Sequence, residues 1–301
     1  MLPAFPDFKP IALEDRDTIA ESLRRYNPQT SELTFTNLFI WRSHFNTSCC
    51  QLENWLVVLC EPQSSTPFFL PPIGPPDRTA VATRLLEWLG DTKGAEPSIR
   101  RADARLISEI GSDGPFYAEP QRDQFDYVYR SEKLATLGGR KLHSKRSQLN
   151  KFLRTCDYIY APIDGDNRWA CMELLSGWCS FRNCRENPSI KAECEASHEA
   201  LYNFEQLGLT GGAIAVDGRI QAFAIGEMLN SETAVIHIEK ADPDIPGLYA
   251  AINQQFCENA WGEVTFLNRE QDLGEPGLRK AKLSYQPETL VEKYTIRLCG
   301  E

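Results

Sequence analysis

Residues 211–227 read Gly-Gly-Ala-Ile-Ala-Val-Asp-Gly-Arg-Ile-Gln-Ala-Phe-Ala-Ile-Gly-Glu. Two apolar runs flank the dipeptide Asp217-Gly218, and Asp-Gly between apolar runs predicts a tight turn that joins two antiparallel strands. A third run, Thr233–Glu239, follows a turn at Asn230-Ser231. We therefore predict three consecutive antiparallel strands, around which the rest of the chain is arranged.

The elements on both sides of these strands are predicted from hydrophobic periodicity. In chain order they are a strand at 157–163, helices over 169–181 and 191–207, the three strands, a glycine-containing loop, a helix over 248–261, a strand at 264–267, a further helix and a last strand at 294–298. This order is similar to that of the N-acetyltransferase-like (GNAT) fold. In that fold, the loop after the central strand binds the phosphates of an acyl donor through its N–H groups and the next helix N-terminus. The corresponding loop predicts donor contacts from Asp242, Ile245 and Gly247.

The first part of the chain also alternates helices and strands, which indicates an α/β or α+β fold. A chain of 301 residues has a typical length for two domains. We place the boundary after residue 130, so that 1–130 and 131–301 are the two predicted domains.

The bulk properties argue against some functions. The formal net charge is −10, whereas general binding to DNA needs a basic face. No apolar run reaches the roughly 18 residues of a membrane span, and the N-terminus lacks the pattern of a signal peptide. We therefore expect a cytoplasmic protein with no transmembrane segment that does not bind DNA.

The ten cysteines include no Cys-x-x-Cys pair, so no zinc ribbon or thioredoxin motif is present. One group could bind a metal, because Cys194 and His198 would share a helix face; its other members are Cys179 and Cys184. In a cytosolic chain without further metal signals, cysteines are more often small buried apolar residues. We expect this second interpretation, and no metal site.

A strongly basic helix is predicted after the turn Gly138-Gly139. Its cations are Arg140, Lys141, Lys145, Arg146, Lys151 and Arg154. In an acidic chain, this density of cations suits a face that binds phosphate, phospholipid or RNA. A solvated helix that balances acidic neighbours is an equally open alternative.

A second charged stretch, Asn268–Tyr285, begins where the strand at 264–267 ends. The polar residues that follow the strand are Asn268, Arg269, Glu270 and Asp272, and we predict that they position the substrate or link the cleft by ion pairs. The cations of the next helix are Arg279, Lys280 and Lys282. Charge at the carboxyl edge of a sheet, followed by a basic helix, suits a site for a phosphate-bearing donor. The alternative is a strand, a loop and a solvated amphipathic helix.

Several of these segments also resemble a known family. They are Leu13–Asp15, Phe35–Trp41, Lys141–Asn150, His237–Ala241 and Asn268–Tyr285. Together they resemble the bacterial DUF2156 family, which is related to the C-terminal domain of phosphatidylglycerol lysyltransferase, over nearly the whole chain. The resemblance implies two tandem GNAT-like domains, each a mixed, mostly antiparallel sheet flanked by helices. It implies that the second domain is better preserved; the first lacks a clear glycine loop, so we expect a degenerate domain with a structural or acceptor-binding role.

The resemblance further implies kinship with transferases that move aminoacyl groups from tRNA to a lipid or peptidoglycan amine or hydroxyl. The chain departs from the lysyltransferases because it lacks their membrane-spanning segments. It also lacks the Arg/Gln-x-x-Gly-x-Gly/Ala form of the acetyl-CoA loop, since the loop at 242–247 has one glycine. This departure leaves a donor other than acetyl-CoA open.

Transfer to an amine or hydroxyl needs a base, a group that polarises the carbonyl and an acid. His237 and Glu239 lie two residues apart on one predicted strand and so share a face. We predict Glu239 as the base with His237 beside it, and Tyr285 as the acid. Lys145 and Arg146 would extend the basic wall that binds the substrate. In the structural alternative, His237 is a satisfied buried residue and Tyr285 only packs.

The predicted function is therefore an acyl- or aminoacyl-transferase with no tightly bound cofactor. Its donor would be acyl-CoA or aminoacyl-tRNA, with the tRNA 3′ end as a possible partner, and its acceptor a small molecule or lipid. The alternative is a catalytically inactive GNAT-like module that binds or senses a ligand.

Overall fold

The computed structural model describes residues 1–94, 96–111, 114–181 and 187–299. The strands in these ranges are β1 Lys9–Pro10, β2 Thr47–Leu52, β3 Trp55–Cys60, β4 Phe68–Phe69, β5 Ile99–Ala102, β6 Phe116–Pro120, β7 Asp126–Arg130, β8 Tyr158–Pro162, β9 Thr210–Val216, β10 Arg219–Met228, β11 Thr233–Ala241, β12 Phe266–Asn268, β13 Thr289–Val291 and β14 Tyr294–Leu298. The α-helices are α1 Arg16–Tyr26, α2 Phe35–Ile40, α3 Arg42–Phe45, α4 Thr79–Lys93, α5 Ala104–Ile110, α6 Ser131–Thr136, α7 His143–Thr155, α8 Arg168–Phe181, α9 Pro188–Tyr202, α10 Phe204–Leu207, α11 Leu248–Ala260 and α12 Pro276–Ser284. Within this described part, no helix is both long and apolar enough to cross a membrane.

Local sequence explains where several elements begin and turn. The side chains of Thr34 and Asp103 each accept a hydrogen bond from a backbone N–H in the first turn of α2 and α5. The predicted hairpin is confirmed, since β9 and β10 pair around Asp217-Gly218. Both turn residues have positive φ, at 50° and 77°, as a two-residue hairpin turn requires.

The first compact unit comprises Met1–Asp126, Gln271–Gly274 and the chain from Val291 onward. Its sheet has the order β1-β2-β3-β4-β5-β14-β6. In the described residues, β4 and β5 pair in parallel and the other neighbours are antiparallel. The core of this unit includes Leu85 and Leu86 of α4 together with Phe69, Ile99 and Ile296 of the sheet.

The second unit comprises Tyr127–Glu270 and Glu275–Leu290. Its sheet has the order β13-β7-β12-β11-β10-β9-β8. The pair β11/β12 is parallel, whereas β8 to β11 form an antiparallel series. Helix α11 packs on β9, β10 and β11 and contacts α6 and α7, and α8 packs on β10. The two mixed sheets with flanking helices confirm the predicted fold class.

Neither unit is continuous in sequence, whereas a division after residue 130 would make both of them continuous. Strand β14, which we expected in the second domain, pairs with β5 and β6 in the sheet of the first unit. Strand β7, which we expected in the first domain, pairs with β12 in the second sheet. The apolar pattern of a short strand shows that a strand forms but does not specify which strand it pairs with.

The parallel pairing of β11 with β12 is short. It covers Thr233–Val235 against Phe266–Asn268, where β12 ends, whereas β11 continues to Ala241, so no residue of β12 pairs with β11 beyond Val235. On its other side β11 contains a bulge, because Gly226 pairs with Ile236 and Ile225 pairs with Ile238. His237 is therefore the extra residue of β11. The carboxyl half of β11 thus borders an opening in the sheet.

Candidate active site

The opening between β11 and β12 contains a buried ion pair. Arg269, in the turn after β12, donates from Nη2 to Oε1 and Oε2 of Glu239 on β11 at 3.1 and 3.2 Å. The Nδ2 of Asn253 on α11 donates to Oε2 of Glu239 at 3.0 Å. Both carboxylate oxygens of Glu239 therefore already accept hydrogen bonds. The Arg269 and Glu239 side chains remain 12% and 15% exposed, so the pair is mostly but not completely buried.

Two buried atoms next to this pair have no hydrogen-bond partner within the described part of the chain. They are Nη1 of Arg269 and Oδ1 of Asn253. A buried polar atom without a partner costs on the order of 1–3 kcal/mol. One is a donor and the other an acceptor, on two residues that both contact Glu239. This arrangement suits a ligand that carries an oxygen and an N–H or O–H group.

The guanidinium of Arg269 is fixed as a cation. Burial alone would lower the pKa of Arg269, but the negative charge of Glu239 outweighs burial and raises it. Its guanidinium carbon lies 4.7 Å from the ring centroid of Tyr285 and 5.7 Å from that of Tyr129. The site therefore keeps a positive charge whose position is set by a carboxylate and two aromatic rings.

His237 occupies the bulge of β11 and is bound on both ring nitrogens. Nδ1 lies 2.8 Å from Oε1 of Glu270, and Nε2 lies 2.9 Å from Oε1 of Glu227 on β10. Burial opposes the charged form, but the hydrogen bonds to the two carboxylates prevail and raise the pKa of His237 to about 9. The ring is an imidazolium at neutral pH and has no free nitrogen to accept a proton.

Tyr285 lies between two cations. Lys145 on α7 places Nζ 4.3 Å from the ring centroid of Tyr285, and Arg269 contacts the same ring. Burial raises the pKa of the Tyr285 phenol despite the opposing charge of Arg269. Burial and the nearby Arg269 charge lower the pKa of Lys145. The phenol is therefore protonated at neutral pH and carries a hydrogen that it can donate in a hydrogen bond.

Comparison with known protein families identifies the family to which this chain belongs. Residues 23–297 match the family described as phosphatidylglycerol lysyltransferase, C-terminal. The chain belongs to this family. The resemblance to DUF2156 that the sequence indicated is thereby confirmed, and with it a place among aminoacyl- and acyltransferases in general.

Solved structures similar to this family member support the same fold. A conserved protein of unknown function from Bacteroides thetaiotaomicron is 38% identical over 99% of this chain and 100% of its own, with a TM-score of 0.89. The C-terminal DUF2156 domain of a putative lysylphosphatidylglycerol synthetase from Agrobacterium fabrum is 15% identical, with 96% and 92% covered and a TM-score of 0.67. A tandem GNAT protein from the clavulanic acid biosynthesis pathway is 9% identical, with 98% and 99% covered and a TM-score of 0.50. The last two show the fold alone, which is that of tandem GNAT proteins.

A curated relative matches a smaller part of the chain. It is an uncharacterised protein of Mycoplasmoides gallisepticum, 25% identical over 174 residues, which are 58% of this chain. The match spans 56% of that relative, just over half of its length.

In this family member, the predicted donor loop uses most of its own amides. The N–H of Asp244 donates to the Asp242 side chain, that of Ile245 to the Asp242 carbonyl, and that of Asp242 to Gln221. Pro243 and Pro246 have no N–H group. The loop therefore offers few donors to phosphates in this conformation, and the predicted donor contacts of Asp242, Ile245 and Gly247 stay a prediction. Gly247 has a clear structural reason, because its φ is +89° and a Cβ would overlap the Gln148 carbonyl oxygen.

The cations predicted to bind the donor differ in their surroundings. Lys282 donates to the carbonyl oxygen of Arg269, so it helps to hold the turn that carries the guanidinium. Arg146 donates to the carbonyl oxygens of Leu137 and Gly139, which fixes the glycine turn before α7. Lys280 is exposed and Arg279 is half-buried, both on α12. Their predicted contacts with phosphates remain predictions.

The polar residues predicted to bind the substrate do not all meet. Arg269 and Glu270 lie at the opening, and Asn268 Oδ1 accepts from the N–H of Glu270 at 2.8 Å, so Asn268 shapes their turn. Asp272 is fully buried in the first unit, where it accepts from Arg122 at 3.2 Å and from the N–H of Gly274 at 2.9 Å. Asp272 therefore belongs to the first unit, and its predicted contact with the substrate stays a prediction.

Sequence reasoning missed two residues of the site. Asn253 is a fully buried amide within α11, among Ala250, Ala251 and Ile252, and a lone polar residue on an apolar helix face was the available signal. Glu227 follows Gly226 at the end of the apolar run of β10. Nothing in the local sequence indicates that its carboxylate binds another side chain. Its partner, His237, becomes visible only when the two strands are paired.

The cysteine cluster is resolved differently from both sequence interpretations. Cys179 on α8 and Cys194 on α9 form a disulfide, with their Cα atoms 6.5 Å apart. The expectation that they are free buried residues is therefore wrong for this pair, because the two helices pack side by side and bring the sulfurs together. Cys184 lies outside the described residues.

Proposed function

We propose that the second unit transfers an aminoacyl group from the 3′ end of an aminoacyl-tRNA to an amine or hydroxyl of a small-molecule or lipid acceptor. Membership of the phosphatidylglycerol lysyltransferase C-terminal family supports aminoacyl or acyl transfer in general. The choice of an aminoacyl donor is the finer part of the proposal, and it rests on the chemistry of the opening between β11 and β12.

The unpaired atoms of Arg269 and Asn253 carry the proposal. The Nη1 of Arg269 can donate to the carbonyl oxygen of the transferred group, where negative charge develops during attack. The Oδ1 of Asn253 can accept from the α-ammonium group that an aminoacyl ester carries and a plain acetyl group lacks. One ligand would then satisfy both atoms, which removes the cost of leaving each one buried without a partner.

The loop at 242–247 supports the same choice of donor. A pyrophosphate held at a helix N-terminus needs several free backbone amides. Here the amides of Asp242, Asp244 and Ile245 already donate within the protein. An aminoacyl-tRNA can instead present its phosphates to side-chain cations, among them Lys145 on α7 and Lys280 on α12.

The proposed reaction gives Glu239 a task that differs from the one predicted from the sequence. Glu239 orients Arg269 rather than acting as the base, because both of its oxygens are hydrogen-bonded. Arg269 polarises the carbonyl, and the Tyr285 phenol gives its proton to the departing ribose oxygen. A bond forms between the acceptor and the carbonyl carbon while the ester bond breaks. The proton that the acceptor loses passes to the Tyr285 phenolate, so the leaving oxygen gains one proton and the phenol is restored.

A transfer assay tests this proposal. Purified protein is mixed with tRNA charged with labelled amino acids, and separately with labelled acyl-CoA, in the presence of amine, hydroxyl and anionic-lipid acceptors. We expect label transfer from aminoacyl-tRNA and none from acyl-CoA. The Asn253→Leu variant should lose this transfer, whereas Glu232→Gln, an exposed residue before β11, should retain it. Transfer from acyl-CoA alone would overturn the choice of donor.

The alternative is a binding module without chemistry. One observation favours it: both ring nitrogens of His237 are bound to carboxylates, and both oxygens of Glu239 already accept hydrogen bonds. Under this alternative, charged tRNA would raise the unfolding temperature of the protein, and no label would reach any acceptor. The two measurements together separate a transferase from a sensor.

A further inference from the structure

His237 joins β10, β11 and the turn after β12. Backbone pairing holds β10 to β11 on both sides of His237, whereas the pairing of β11 with β12 ends at Val235 and Asn268, where β12 itself ends. On one side its ring contacts Glu227 of β10, and on the other Glu270, two residues beyond the end of β12. The contact with Glu270 therefore crosses the opening, and the contact with Glu227 fixes the other edge of the imidazole to β10.

The residue that it holds on the far side has an unusual backbone. Glu270 has a φ of +55°, in the left-handed region where residues other than glycine are strained. Its N–H donates to Asn268 Oδ1, and its carbonyl oxygen accepts from the N–H of Tyr127. Its side chain, N–H and carbonyl oxygen are thus all held by contacts, and Arg269 is the residue directly before it. The direction of the Arg269 side chain depends on this turn.

The bulge of β11 explains why the contact forms. An extra residue in one strand re-aims its side chain relative to the regular ladder. The bulge requires Gly226 on the neighbouring strand, because a Cβ there would overlap the Val235 carbonyl oxygen. The local sequence of β10, a glycine followed by Glu227, thus provides both the space for the bulge and the carboxylate that binds its residue.

We propose that His237 is a positioning residue: as a cation between Glu227 and Glu270, it fixes the turn Asn268–Glu270 and thereby aims Arg269 at Glu239 and at the transferred carbonyl. That Arg269 acts on the transferred carbonyl rests on the proposed function. That His237 links Glu227 to Glu270 does not depend on it. His237 touches neither donor nor acceptor, so its effect passes through Arg269. The charged groups that face its ring are Glu227 on β10 and Glu270 after β12.

The key variant is Glu270→Gln, which keeps the size of the side chain and a hydrogen-bonding oxygen but removes its charge. Glu227 still balances the charge of His237 in this variant, so we expect it to fold. His237→Gln is the second variant, and Glu232→Gln is the matched control. Crystal structures of the variants should show Arg269 displaced from Glu239 in the first two and unchanged in the control.

Kinetics supply a readout that a merely structural role would not change. For Glu270→Gln and His237→Gln we expect kcat per folded molecule to fall roughly 10- to 100-fold, as small misplacements of catalytic groups do. The KM for aminoacyl-tRNA should stay within about threefold, because the lost interaction acts in the transition state. A folded Glu270→Gln variant with unchanged kcat and an unmoved Arg269 would overturn the positioning role.

Failure of the proposed function gives a different result. If the wild-type protein transfers no aminoacyl group to any acceptor, the function falls, and the crystal structures still decide the bridge. Nitrogen-15 NMR of the imidazole adds a check that needs no activity. Both ring nitrogens should carry protons at pH 7 to 8; a neutral His237 at pH 7 would contradict the bridge.

Discussion

Each unit buries a cluster of charged side chains, and the two clusters differ in whether their hydrogen bonds are complete. In the first unit, the Nζ of Lys293 donates to both oxygens of Glu32 at 2.7 Å and to Asp126 at 2.6 Å. These side chains are at most 4% exposed. All three donors of the ammonium are therefore used. In the second unit, Arg269 contacts Glu239 through Nη2 only, and its Nη1 has no partner among the described residues.

The difference indicates what each cluster does. A buried charge whose partners are complete holds its own unit together and offers nothing to a ligand. A buried charge with an unused donor is costly unless a ligand completes it. We infer that the Lys293 cluster is structural and that the Arg269 cluster is functional. The following predictions, from the largest expected effect to the smallest, break or sharpen this comparison.

The largest expected effect is on stability in the first unit. Lys293→Met removes the lysine cation from buried Asp126 and leaves Glu32 with Arg101 at 3.6 Å, and breaking a buried pair in this way costs about 3–5 kcal/mol. The free energy of unfolding, measured by urea denaturation, should fall by this amount. Lys151→Met, which replaces an exposed lysine of α7, should change it by less than about 0.5 kcal/mol. A loss of under 1 kcal/mol for Lys293→Met would mean that the closed cluster is not structural.

The second effect is on activity in the second unit. Arg269→Lys keeps the positive charge near Glu239 but removes the donor at Nη1. Removing one such donor lowers transfer by about 10²–10³-fold, which labelled aminoacyl-tRNA would reveal. The free energy of unfolding should change by only about 1 kcal/mol, since the pair with Glu239 persists. Equal losses of stability for Arg269→Lys and Lys293→Met would remove the distinction between the two clusters.

The third effect concerns the pH dependence of stability in the second unit. The folded pKa of His237 is about 9, above its ordinary value of 6.5. The stability that His237 contributes is therefore complete below pH 6.5 and lost as pH rises through 9. It amounts to at most about 3 kcal/mol at 1.36 kcal/mol per unit. Urea denaturation from pH 7 to 10 should show this loss in the wild type and not in His237→Gln; parallel curves would contradict the charged ring.

The smallest effects concern the lysines around the open cluster. Lys145 contacts the Tyr285 ring, so Lys145→Met should lower transfer about tenfold, a magnitude that matches a desolvated cation–π contact. Lys280 is exposed on α12, and Lys280→Met should lower transfer only about twofold, because exposed charges are screened. Initial rates at 0.15 M salt compare the two. A larger effect for Lys280 would place the donor against α12 rather than against Tyr285.

Much of the second unit could be predicted because its signals are local. The Asp217-Gly218 turn fixes a hairpin wherever it occurs between apolar runs, and the family resemblance covers nearly the whole chain. The sequence also predicted His237 and Glu239 as catalytic residues and Arg269 and Glu270 as residues that position the substrate. It did not predict their pairing, since Arg269 and Glu239 are 30 residues apart and Glu270 and His237 are 33 apart. Either carboxylate could have paired with either cation.

What the sequence by itself determined is the set of elements, the family and the charged residues at the end of β12. Periodicity, turn residues and caps are short-range properties, so they can be read within a few residues. Only the tertiary structure decided that β7 and β14 lie in opposite sheets from those expected, that Asp272 stays in the first unit, and that Asn253 reaches Glu239. Each of these depends on which distant segments pack together. The same packing decides which buried donors find partners, and therefore which cluster is closed and which is open.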